Sequence, residues 1–146
     1  MISRILLCSD GSVHALKAAE IAGEIATKFQ AEITLLSVFV PPPMPISPFD
    51  GPTMYIDIET YDRLREGFHD SVQQSTGEVL DKLGSKHAVR RESGQPVDLI
   101  VAAAQDLNAD LIVIGSRGLG GFKRLMLGSV SDGVTHHAHC PVLIVR

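Results

Sequence analysis

The chain has 146 residues, 45% of them hydrophobic and 21% charged, and a formal net charge of −4. That length and balance suit a single domain, 1–146, with a sizeable core, and the acidic charge offers no basic face for nucleic acid. The opening MISRILLCSD holds only a short apolar run, too short for a signal segment or a membrane span, so a cytoplasmic protein without a membrane partner is expected. Two cysteines, Cys8 and Cys140, are too few for a disulfide scaffold and fit a reducing compartment.

Residues 2–8 (ISRILLC) read as a first strand, broken by Ser9-Asp10-Gly11-Ser12. Ser12 is a suitable N-cap for a helix over 13–29, whose apolar period runs through Val13, Leu16, Ala22, Ile25, Ala26 and Phe29. Residues 31–40 (AEITLLSVFV) form a second strand, rich in β-branched and aliphatic side chains. Prolines at 41, 42, 43, 45, 48 and 52 then exclude helix or central strand, and the loop over 41–55 is long enough to act as a lid or binding segment. A helix over 56–83 follows, with Tyr61, Leu64, Phe68, Val72, Val79, Leu80 and Leu83 on its apolar face and Gly84 closing it.

Residues 86–92 are weakly apolar and predict an edge strand. Pro96 opens the next helix, striped by Val97, Ile100, Val101, Ala104 and Leu107, and Asn108 ends it. Leu111–Ile114 is a short, wholly apolar run that reads as a buried strand. A final helix spans about 129–138, and Pro141–Arg146 gives a fifth strand, apolar and at a sheet edge. Strands alternating with helices predict an α/β fold with a parallel sheet, whose ligands bind beyond the carboxyl ends of the strands.

The most informative stretch is 111–131, LIVIGSRGLGGFKRLMLGSVS: strand, glycine loop, helix start. The first N–H groups of a helix have no internal partner and attract anions, while glycines let backbone approach a phosphate closely. The loop lacks the Gly-Lys-Ser/Thr of a P-loop and the spacing of the dinucleotide fingerprint. Its spacing is G-x2-G-x9-G-S, at Gly115, Gly118, Gly128 and Ser129. With ILLCSDGS, ITLLSV, NADLIVIGSRGLGGFKRLMLGSVS and HCPVLIVR, this pattern resembles the universal stress protein family, in its ATP-binding branch, over essentially the whole chain.

The resemblance implies an open five-stranded parallel sheet of order 3-2-1-4-5 with helices on both faces, a Rossmann-like adenine-nucleotide-binding fold. It implies ATP (or ADP or AMP, with Mg bound through the phosphates) lying over strands one and four. Cys8, Ser9 and Asp10 would lie near the adenosine, and Val38 would offer backbone groups to the adenine. Gly115, Ser116, Arg117 and Gly118 would line ribose and phosphates, and Gly128, Ser129, Val130 and Ser131 would hold phosphates. It also implies a homodimer formed by antiparallel pairing of the strand at 141–146. Plainer roles stand beside these: glycines that only turn the chain, Ser129 as a helix cap, and Asp10 as a turn former before Gly11. Asp10 is otherwise a partner for ribose hydroxyls, an adenine amine or a divalent cation. Arg117 and Lys123 are candidates to neutralise phosphate charge, Lys123 more simply as a solvated loop charge.

His136, His137 and His139 beside Cys140 suggest metal ligands, but their place at a helix end gives them a simpler role, and no protein metal site is assigned. Cys8 and Cys140 fall at opposite strand ends, too far apart for a bridge. The expected function is a nucleotide-dependent regulatory dimer of the stress response. A slow ATPase or phosphotransfer enzyme, and an AMP or cyclic-nucleotide sensor, are the alternatives; no residue is assigned a catalytic role.

Overall fold

A computed structural model describes residues 1–42, 56–119 and 127–146. Most of the proline-rich loop, and Gly120, Gly121 and Lys123, lie outside the described residues. The elements run β1 (Arg4–Cys8), α1 (Val13–Phe29), β2 (Glu32–Phe39), α2 (Ile58–Lys82), β3 (His87–Ser93), α3 (Pro96–Asp106), β4 (Leu111–Gly115), α4 (Ser129–His137) and β5 (Val142–Val145). The five strands form one sheet, β3-β2-β1-β4-β5, and all four pairings are parallel. Among the described residues no helix is long and apolar enough to cross a membrane.

Alternation along the strands sends side chains to two cores. Ile5, Leu7, Ile33, Leu35, Leu111 and Val113 face α1 and α2, packing on Ala18, Ala19, Ala22, Ala26 and Leu80. Leu6, Cys8, Leu36, Ile112 and Ile114 face the other way, onto Ile100, Ala103 and Ala104 of α3 and Val134 of α4. Small side chains along α1 and α3 let the helices sit close to the sheet. The helix ends follow the expected chemistry. Ser12 caps α1 by accepting from the Ala15 N–H, Gly84 takes φ +68° after α2, and Asn108 takes φ 47° just beyond α3.

Four apolar positions expected inward are exposed, among them Leu83 at the end of α2. Val13 (69%) faces away from the sheet, and Leu64 (49%) sits on the flank of α2. Phe29 (46%) has the inward phase but lies in the last turn. A 17-residue helix is about 25 Å long and a five-residue strand about 17 Å, so the end of α1 overhangs. In their place α2 buries polar residues, His69 and Thr76.

Register aligns the carboxyl ends of the central strands: Cys8 pairs with Leu36 on one side and Ile114 on the other. Strand order reverses between β1 and β4, and the loops leaving those two strands diverge to opposite faces, opening a crevice there. The free cysteines are Cys8, buried at the carboxyl end of β1, and Cys140, ahead of β5.

Candidate functional site

The β1–α1 loop continues the sheet by one bond, Ser9 N–H to Leu36 O at 3.0 Å. Ser9 Oγ, buried, shares a hydrogen bond with Thr76 Oγ1 of α2 at 2.7 Å and accepts from Gly11 N–H at 3.2 Å. Gly11 has φ +78°, which this turn needs and which side chains resist. The Ser12 hydroxyl donates to Arg117 O at 3.3 Å. Asp10 engages both oxygens: Oδ1 accepts from Ser12 N–H at 2.9 Å, and Oδ2 accepts from Leu119 N–H at 3.0 Å. The plainer role of Asp10, forming a turn, is therefore present, and the same carboxylate also reaches across to the glycine loop.

Both ends of that loop converge on Ser116. Its N–H donates to Val145 O at 2.7 Å, and its carbonyl accepts from Gly128 N–H at 2.8 Å and from the Ser131 hydroxyl at 3.1 Å. The Ser116 hydroxyl meets His14 Nδ1 at 3.2 Å. Chain leaving the sheet at β4 thus returns to the same peptide to start α4. Gly115 is glycine for the scaffold: a Cβ there would lie 2.8 Å from the His14 carbonyl carbon and 2.9 Å from Ala15 N, so its absence lets the first turn of α1 press on the end of β4. The N-cap of α4 is Gly128, without a side-chain cap, and Ser129 is the exposed first helical residue rather than the cap. The N–H groups of Ser129 and Val130 accordingly lie in the unpartnered first turn, the positive end of the helix.

These loops enclose a pocket of about 290 Å³. Eleven of the twelve residues singled out from the sequence line it: Cys8, Ser9, Asp10, Val38, Gly115, Arg117, Gly118, Gly128, Ser129, Val130 and Ser131. Ser116 does not; it holds the wall from behind. Apolar lining was missed, namely Ala15, Leu36, Val40, Pro96, Ile100, Ile114 and Leu119. Leu36 and Val40 were legible as the alternate positions flanking Val38, whereas Ile100 comes from a helix distant in sequence and carries no local signal.

Burial pushes the Cys8 thiol up, so it stays neutral and acts as an apolar surface. The Ser131 hydroxyl is directed at the carbonyls of Ser116 and Gly128, which leaves its backbone as the group for a ligand. A Cβ on Gly128 would lie 3.1 Å from Ser116 O and 3.5 Å from Arg117 Cα, against the loop closure rather than in open pocket. Asp10 is the one carboxylate among the lining residues. Among the described residues no group of three His, Cys, Asp or Glu is placed to hold a metal ion. The imidazoles of His136 and His137 donate from Nδ1 to the carbonyls of Asp132 and Gly133, each at 2.8 Å, closing their own helix end.

The sequence profile of the universal stress protein family, Usp, matches residues 1–146. Universal stress protein YxiE of Bacillus subtilis is 33% identical over 150 residues, covering all of both chains. Among solved structures, universal stress protein UspA from Lactobacillus plantarum superposes with a TM-score of 0.81 at 24% identity, covering 99% of this chain and 98% of that one; at that identity the likeness speaks for the fold. A universal stress protein crystallised in complex with cAMP gives a TM-score of 0.72 at 25% identity, covering 99% of this chain and 97% of the other. Profile, relative and architecture agree over the full length, and the chain belongs to the universal stress protein family.

Proposed function

We propose that this protein binds an adenine nucleotide in the crevice between the β1–α1 and β4–α4 loops and acts as a nucleotide-dependent regulatory module. The observation that supports this reading is that eleven of the twelve residues implied by the family resemblance line one pocket, against the N-terminus of α4. In that reading the N–H groups of Ser129, Val130 and Ser131 take phosphate, Gly115, Arg117 and Gly118 line ribose and phosphates, Asp10 meets the nucleoside, and Val38 backbone meets the base. Both Asp10 oxygens are engaged by N–H groups, so Mg²⁺ would arrive with the phosphates of ATP or ADP rather than be held by the protein. Calorimetric titration with ATP, ADP, AMP and cAMP tests this directly. Binding of at least one with 1:1 stoichiometry is expected; binding of none removes the reading.

A second reading, a sensor of AMP or a cyclic nucleotide, is favoured by the family member solved with cAMP. Tighter binding of AMP or cAMP than of ATP in the same titration selects it.

We further propose a homodimer through the open edge of β5. Pro141 O and Val145 O accept from Ile112 and Ser116 N–H groups, so residues 141, 143 and 145 turn their backbone to β4. Val142 and Ile144 therefore present N–H and C=O outward. Proline at 143 or 145 would damage the sheet itself; Ile144→Pro is the clean test, and sedimentation should show monomer. A dimer that persists in Ile144→Pro argues against pairing along this edge.

A further inference from the structure

Hydroxyls inside a helix commonly turn back on their own backbone. Ser75 donates to Ser71 O, Thr27 to Gly23 O and Thr135 to Ser131 O, each four residues behind. Thr76 does not. It is wholly buried, and among the described residues its only hydrogen-bond partner is Ser9 Oγ, across the interface between α2 and the sheet. The arrangement that leaves the buried Thr76 proton paired has Thr76 donating and Ser9 accepting. Ser9 Oγ then accepts twice, from Thr76 and from Gly11 N–H, so both of its lone pairs are fixed. The bond from Gly11 N–H to Ser9 Oγ spans Asp10. Gly11 itself lies over α2, where a Cβ would come 3.6 Å from Ser75 Oγ and 3.8 Å from Val72 Cγ2. No α2 residue is among those lining the pocket, so α2 supports this turn from behind.

We propose that Thr76 is a positioning residue of the nucleotide site: from the far side of the sheet, and through Ser9, its hydroxyl sets the turn that carries Asp10 into the pocket. This inference rests on the nucleotide reading above and deepens it. Leu36, Ile100 and Ile114, which line the pocket, belong to the core on one face of the sheet, while α2 packs on the other. Asp10 bridges Ser12 N–H and Leu119 N–H from the middle of the turn, one peptide bond from Ser9, so a shift of Ser9 is delivered to its carboxylate. Thr76→Val makes such a shift. A methyl in place of the hydroxyl would stand 2.7 Å from Ser9 Oγ, where carbon and oxygen keep about 3.3 Å or more. Ser9 has to back away, and the turn with it. Thr76→Ser keeps the donor and therefore the turn.

Calorimetric titration with ATP, ADP, AMP and cAMP, beside urea unfolding of the same variants, tests this. Thr76→Val should bind whichever of these the wild type binds roughly fivefold more weakly, the worth of one hydrogen bond, and Thr76→Ser within about twofold of wild type. Leu80→Val, one turn along the same buried face of α2 and away from the pocket lining, should lose stability and keep wild-type affinity. Thr76→Ala removes the hydroxyl without the clash; it should weaken binding in the same direction, and it carries the comparison where Thr76→Val does not fold. Wild-type affinity in either hydroxyl-free variant, or a loss in Thr76→Ser or Leu80→Val equal to theirs, overturns the positioning role and leaves the nucleotide site standing. A wild type that binds none of the four nucleotides overturns the nucleotide reading and this role with it.

Discussion

Asp10 and Asp110 stand at opposite ends of the same two neighbouring strands, and each accepts two backbone N–H groups. Asp110, just ahead of β4, takes Ser3 N–H and Arg4 N–H on a single oxygen, both at 2.9 Å. Its own N–H donates to Arg4 O at 2.8 Å, so every partner belongs to the start of β1, which the sheet already fixes. Those two N–H groups hold the Asp110 carboxyl below the usual carboxylate range. Asp10, just after β1, divides its oxygens between two different loops, each beside a pocket. The same hydrogen-bond chemistry therefore fastens one strand start at one end and links two loops beside the pocket at the other.

The largest effect is expected where the pocket end has no slack. Gly115→Val should destabilise the fold by about 3 kcal/mol in urea unfolding, because main-chain atoms of His14 and Ala15 block the new Cβ and cannot rotate away. A loss below about 1 kcal/mol would mean that α1 shifts off the sheet readily and that the pocket end is the looser one. Next, Asp10→Ala should weaken AMP binding about tenfold, with roughly 1 kcal/mol lost from stability. Unchanged affinity would reduce Asp10 to a second Asp110.

Acid sharpens the contrast, since it reaches the two ends at different pH. His69, buried against Phe39 and Phe68 and hydrogen-bonded to Ser37 at 2.6 Å, lies beside β2, which carries Val38. Burial and then the Arg91 charge lower its affinity for protons, with Arg65 acting in the same direction and Glu66 and Asp70 opposing. The unfolded chain therefore binds the extra proton first. Stability should fall as the pH drops through the ordinary imidazole value, about 6.5. Urea midpoints measured between pH 7.5 and 5.5 should show this slope, and His69→Asn should flatten it.

At the amino end the smallest effect is expected. The contribution of Asp110 is present above the ordinary carboxylate range and is lost as pH falls through its lowered folded value. Asp110→Asn should flatten the stability curve there and leave nucleotide affinity unchanged; a change in affinity would show that the two ends are coupled.

Local chemistry made the elements readable. The β-branched run of β2, Pro96 at the start of α3 and the caps at Ser12, Gly84 and Asn108 all act within a few residues. The strand order came from the family resemblance, because parallel pairing joins segments far apart in sequence, such as Ile5 with Leu111. The family resemblance supplied the set of site residues, and eleven of the twelve line one pocket, where loops after adjacent parallel strands meet. The roles of those residues were not legible. Ser116 looked like one more lining residue, and only the fold reveals its backbone holding β5, Gly128 and Ser131 together. Gly115 looked like room for a phosphate, and the fold adds a demand the sequence did not show, room for the first turn of α1. His69 and Thr76 gave no apolar signal, yet both are buried because Ser37 and Ser9 wait for them across the interface.

The clasp between Ser116 O and Gly128 N–H separates bookends from contents. Whatever sequence lies between them begins and ends at one peptide, so its length is decoupled from the geometry of β4 and α4. Loop-closure entropy grows only slowly with length, about 0.6 kcal/mol per doubling. The scaffold at β4 and α4 should therefore tolerate changes of length between the two ends of this clasp.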